Sequence, residues 1–114
     1  MIGWKNYLLL FGGFYESGED ETEWFNDVHL YDTEHNSWRR VAYNSCQQRP
    51  EPRAGCQLAV HPEEARNIII CYGGCSHPKN RNFRTFGDLW FLHMGELQSQ
   101  VVQCLILRWP PLLC

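Results

Sequence analysis

The sequence predicts an all-β protein built from two copies of one strand-rich unit, and three observations predict it. Leu8-Leu9-Leu10-Phe11-Gly12-Gly13 returns as Ile69-Ile70-Cys71-Tyr72-Gly73-Gly74. Asp27-Val28-His29-Leu30 returns as Asp88-Leu89-Trp90-Phe91 at the same displacement of 61 residues. No segment sustains a helical period, whereas short apolar runs bounded by turn residues recur throughout. A period of this size marks a repeat architecture, in which each copy is one supersecondary unit that buries its apolar faces against its neighbours.

The elements follow in order. Tyr7 to Phe11 is a continuous apolar run closed by Gly12-Gly13, which fits a strand buried on both faces that ends where the backbone must turn or be closely approached. Glu16 to Glu23 is polar and acidic without an apolar period, and reads as a loop. Asn26-Asp27 opens a strand at Val28-His29-Leu30-Tyr31. Asp32 to Ser37 then supplies turn chemistry before a third strand at Trp38-Arg39-Arg40-Val41. Residues 44–52, rich in Asn, Gln, Ser and Pro, form a connector. Arg53 to Val60 alternates as a strand ending at His61-Pro62. The second copy supplies a strand at Asn67 to Tyr72, its glycine pair, a basic loop Pro78 to Asn82 and a strand from Gly87 to Leu92. The units are therefore 1–43 and 53–94.

Past Met94 the correspondence stops: the counterpart of Trp38 is due near Ser99, where Gln98-Ser99-Gln100 stands instead. Residues 95–114 read either as a divergent fourth strand or as foreign sequence joined to a truncated repeat. The second reading is favoured, because an apolar run ending on Leu-Leu-Cys is an aggregation liability without a partner sheet.

The 114 residues have the length of one ordinary domain and are too few for a closed array of such units. Apolar residues make up 44% and charged ones 20%, a globular composition. The formal charge is -3 and no Lys/Arg cluster interleaves with aromatics, which argues against a nucleic-acid ligand. No apolar run is long enough for a membrane span, and Met1 to Asn6 lacks the pattern of a secretory signal. Six cysteines at irregular spacing then read as reduced thiols, giving an intracellular, cytoplasmic expectation.

A hydrophobic strand closing on Gly-Gly, a strand opening on Asp and a following Trp together resemble the kelch repeat. Gly12, Gly13, Asn26-Asp27, Tyr31-Asp32 and Trp38 carry one copy. Pro52-Arg53, Gly73, Gly74, Asp88 and Leu89-Trp90-Phe91 carry most of another, so the resemblance covers about residues 1–94. Phe11-Gly12-Gly13-Phe14 with Asn26-Asp27-Val28, and Pro52 to Gln57, look most like the kelch domain-containing protein 4 group. The resemblance implies a partial β-propeller of slightly less than two four-stranded blades with a non-matching C-terminal tail. It also implies a fragment of a longer propeller, whose other blades cover faces left exposed here.

The signature residues Gly12, Gly13, Asp27, Trp38, Arg53, Gly73, Gly74, Asp88 and Trp90 are expected to be scaffold. Cys56, Cys71, Cys75 and His77 lack the tight paired spacing of a zinc site, and the three cysteines read as small buried thiols. The acidic stretch lacks the ligand alternation of a calcium loop, and the scattered histidines assemble no catalytic set, so no metal, cofactor or catalytic residue is expected. The expectation is a non-enzymatic protein-binding module whose partner contacts loops 14–25 and 76–86. Tyr15, Trp24, Phe25, Phe83 and Phe86 are the candidate anchors. The alternatives are a fragment of a metal-dependent oxidase propeller and a truncated product without independent function.

Overall fold

In a computed structural model, the described residues are 1–18, 21–43, 49–79, 81–97 and 101–109. Glu19 and Asp20 of the acidic stretch, Cys46, Asn80, Cys114, and parts of the connector and tail lie outside them. The described chain is all-β apart from one turn of 3-10 helix at Glu64–Arg66. Its strands are β1 Ile2–Trp4, β2 Tyr7–Gly18, β3 Glu21–Asp32, β4 Ser37–Tyr43, β5 Gln57–Val60, β6 Ile68–Tyr72, β7 Cys75–Ser76, β8 Arg84–Thr85, β9 Leu89–Met94 and β10 Val101–Trp109.

Two antiparallel four-stranded units emerge, β1-β2-β3-β4 and β5-β6-β9-β10. A parallel pairing of β4 with β10 joins them at the rim into one eight-stranded, propeller-like sheet. The two ends of that sheet, β1 and β5, come back into contact, so the units face one another. Val101–Trp109 pairs with β4 along Val101–Cys104 and with β9 along Cys104–Trp109, and Val102, Cys104 and Ile106 are buried.

The repeat read from the sequence is a repeat of register. Leu8 pairs with Tyr31 and Leu10 with His29, and their counterparts Ile69 and Cys71 pair with Leu92 and Trp90. The turn contact from Thr33 N–H to Asn6 O (2.9 Å) recurs as Met94 N–H to Asn67 O (2.9 Å). The fourth strand does not keep the displacement. Tyr31 faces Trp38 while its counterpart Leu92 faces Ile106, because the connection between β9 and β10 is longer than that between β3 and β4.

Equivalent positions in the two units point in opposite senses. The first unit turns Leu9 and Leu30 into the core and leaves Leu8 and Tyr31 half-buried; the second buries Ile69 and Leu92 and leaves Ile70 and Phe91 half-buried. Each unit is therefore apolar on both faces and covers a different one. The shared core comprises Trp4, Tyr7, Leu9, Phe11, Val28 and Leu30 against Ile69, Cys71, Trp90, Leu92, Met94, Val102, Cys104 and Ile106. The outward faces carry Tyr31 and Trp38 on one unit, and Tyr72, Phe91 and Trp109 on the other.

The acidic stretch expected to be a loop is instead the end of a long hairpin. Tyr15 pairs with Glu23, Glu16 with Thr22 and Gly18 with Glu21. Phe14 stacks on Trp24 across the hairpin (centroids 4.9 Å apart), an aromatic cross-strand pair that supports pairing beyond the apolar core. The second unit repeats this extension in register, pairing Cys75 with Thr85 and Ser76 with Arg84 as β7 and β8.

Candidate functional site

The two hairpin extensions lie side by side at one end of the molecule, and Arg53 sets them there. Its guanidinium, 1% exposed, would be costly to bury without partners, and it has a full set. Nη1 and Nη2 donate to the two carboxylate oxygens of Asp88 at 2.5 and 3.0 Å. Nη1 also donates to Gly73 O (3.1 Å), and Nε donates to Glu51 O (3.0 Å). The charged plane stacks on Phe86, 3.9 Å from its centroid. This side chain belongs to the second unit, but the Arg53 backbone belongs to the first. Gly13 N–H donates to Arg53 O (2.8 Å), and Arg53 N–H donates to Phe25 O (3.0 Å).

That approach explains the first glycine pair. A Cβ on Gly12 would stand 2.3 Å from Arg53 O, and Gly12 has φ +70, a left-handed backbone that favours glycine. In the second pair a Cβ on Gly74 would stand 2.9 Å from both Ala54 O and Cys56 Sγ. Burial opposes ionisation of Asp88, but the hydrogen bonds from Arg53 and from Trp90 Nε1 (2.7 Å) outweigh it and hold the carboxyl below its ordinary range. Among the described residues Asp27, the first unit's equivalent, is paired with the exposed His29 ring at 2.5 Å.

At the opposite end of the first unit, the turn is held by buried Asp32. Burial again opposes ionisation, and donors from the His35 ring (2.9 Å), the His35 and Glu34 amides, and Arg39 (3.2 Å) overcome it, lowering the carboxyl well below the usual range. Asn6 Nδ2 joins at 3.2 Å. The second unit has His93 at this position, and the Oδ1 of Asn67, counterpart of Asn6, is buried with no hydrogen-bond partner among the described residues.

The hairpin ends present aromatics to solvent. Phe14, Tyr15 and Phe83 are 53%, 60% and 59% exposed. Trp24, half-buried, ties the ends together by donating from Nε1 to His77 O (3.1 Å), and the His77 ring meets Phe83 edge-on at 6.2 Å. Phe25 is half-buried against the Arg53 segment, and Phe86 is half-buried as the platform under Arg53 and Arg84. Of the five anchors read from the sequence, Tyr15 and Phe83 thus stand open, while Trp24, Phe25 and Phe86 serve packing. Phe14 was not among them; its sequence signal is its place opposite Trp24 once the hairpin is extended.

Charge divides across the same end, with Glu16, Glu21 and Glu23 on the first hairpin and Lys79, Arg81 and Arg84 on the second. Arg84 is bound to Glu51 at 2.7 Å. Beside them opens a cleft of about 640 Å³, lined in part by Arg49, Arg84, Phe86 and Arg108.

Trp38 lies away from this end, 61% exposed on the outward face, edge-on to Tyr31 at 5.1 Å. Trp90 is buried with its Nε1 on Asp88. Among the described residues, no group of three or more His, Cys, Asp or Glu side chains gathers as a metal site. No helix there is long and apolar enough to cross a membrane.

No solved structure matches the chain. Residues 1–43, which hold β1 to β4, match the family model of the kelch motif, and this match supports the kelch-repeat family for the first unit.

Proposed function

We propose that the chain is a non-enzymatic, protein-binding module of kelch type that takes its partner at the paired hairpin ends. The observation that carries this reading is the exposure of Phe14, Tyr15 and Phe83 together on two hairpins braced by Trp24 and Arg53. Exposed aromatics on a rigid scaffold are the usual anchors of a protein interface. The acidic and basic hairpins favour a partner with both signs of charge, which would fix its orientation.

We further propose that residues 57–109 form a second blade with β10 as its fourth strand, and that further blades of a longer propeller cover the outward faces. The half-buried or exposed Tyr31, Trp38, Tyr72, Phe91 and Trp109 support this, since contiguous apolar faces mark a contact surface. Within the kelch repeats we place the chain nearest the kelch domain-containing protein 4 group, on Phe11-Gly12-Gly13-Phe14 and Pro52-Arg53. We assign it to the cell interior, a reading the free thiols of Cys56, Cys71, Cys75 and Cys104 support.

Affinity capture by the intact chain and by a Tyr15→Ala/Phe83→Ala variant, which leaves the Phe14–Trp24 stack in place, tests the binding face. The variant is expected to keep its far-UV spectrum and lose its specific partners. Partners retained by a folded variant would place the interface elsewhere.

A further inference from the structure

We propose that Cys56 and Cys71 form a peroxide-responsive dithiol, which closes to a disulfide tying the segment that carries Arg53 to β6. Cys71 lies on β6, fully buried and opposite Leu58 of β5. Cys56 precedes β5 by one residue and shares the face of Leu58, so both sulfurs occupy the inward side of the β5–β6 edge. Leu58 faces Cys71 directly, so Cys56, two residues before it, lies diagonally across from Cys71 and packs against the same core. Gly55, with φ +73, turns the chain just before Cys56, and the Cys56 sulfur packs over Gly74, close beyond Cys71 on the neighbouring segment.

The pair is polarised. Interaction with the Cys71 thiol and the charge of Arg53 lower the Cys56 thiol from its ordinary value, against a penalty from burial. The same interaction, together with burial, raises Cys71. Cys56 is part-exposed, so the more readily ionised sulfur is also the one an oxidant reaches. Burial, against the opposing charge of Arg49, pushes Cys104 up to about 12, which leaves it inert by comparison.

The chemistry balances with hydrogen peroxide as the oxidant. The Cys56 thiolate attacks one peroxide oxygen and the O–O bond breaks; hydroxide departs and is protonated to water, leaving Cys56 as a sulfenic acid. The Cys71 sulfur then attacks the Cys56 sulfur, the S–S bond forms and the S–O bond breaks. The departing hydroxide takes the Cys71 proton as a second water. The dithiol loses two electrons and the peroxide gains them. The proposal is independent of what the hairpin ends bind.

The test is to treat the folded chain with hydrogen peroxide and map peptides without reduction. The expected product joins Cys56 to Cys71 and is reversed by dithiothreitol. In Cys71→Ser, Cys56 is expected to accumulate as a sulfenic acid captured by a dimedone-type probe. In Cys56→Ser, oxidation of Cys71 is expected to slow by about tenfold or more, since thiolate fraction and access govern the rate. The wild-type map decides even if a variant fails to fold. Cys56 still a thiol when Cys75 is oxidised, or Cys56 oxidised in the wild type without joining Cys71, would overturn the proposal.

Discussion

The two units share a strand register but are secured at opposite ends. The first is fastened at its turns, where Asp32 gathers Asn6, Glu34, His35 and Arg39. The second is fastened at its hairpin end, where Arg53 gathers Asp88, Gly73 and Phe86. At each position the other unit has the weaker arrangement: His93 for Asp32, and the exposed Asp27–His29 pair for the Asp88–Arg53 clamp. A repeat fixes backbone pairing without fixing which polar contacts hold it, so equivalent residues differ in energetic weight.

The largest contrast is expected at the fourth strands, where Trp38 and Ile106 occupy matching cross-strand positions. Ile106 is 3% exposed in the shared core, so Ile106→Ala should cost about 2–5 kcal/mol of unfolding free energy. Trp38→Ala, on the outward face, should cost less than about 1 kcal/mol in this chain. Urea denaturation of both variants checks the pair. Equal losses would mean that the outward face of the first unit is already covered.

A smaller contrast separates His93 from the two anchored carboxylates by pH. Burial lowers His93 below its ordinary 6.5, so the unfolded chain binds the extra proton and stability falls as pH drops through that region. Asp32 and Asp88 are held below the ordinary 3.8, so their contribution is complete above that value and is lost as pH falls beneath it. Melting temperature against pH should therefore step down twice, and His93→Leu should remove only the step nearer neutrality.

The strands at the heart of each unit were legible because Leu8 to Gly13 and Asp27 to Leu30 recur with their spacing intact, and spacing sets register. The hairpin beyond Gly13 was hidden because its strand character rests on one cross-strand stack, Phe14 on Trp24, amid acidic residues that carry no apolar period. The partner strand of Val101–Trp109 was hidden because a longer connection moves the counterpart of Trp38 away from Ser99 to Ile106. At the candidate site, sequence named aromatics but not their exposure. Trp24 and Phe25 are drawn into packing by contacts with His77 and Arg53 that arise only when the two units meet, and Phe86 by Arg53 and Arg84, which lie respectively far from it and beside it in the second unit. Arg53 itself stood out as part of a motif, while its double attachment, backbone to one unit and side chain to the other, depends on residues far away in the chain.

Arg53 and Asp88 form the clamp that sets the hairpin ends side by side, whereas the first unit's Asp27 and His29 form none. Paired double-mutant cycles by urea denaturation, Arg53→Ala with Asp88→Ala and His29→Ala with Asp27→Ala, test it most directly. The first cycle should give a coupling of about 1.5–3 kcal/mol and the second less than about 0.5 kcal/mol. Equal couplings, or additivity at Arg53 and Asp88, would contradict it.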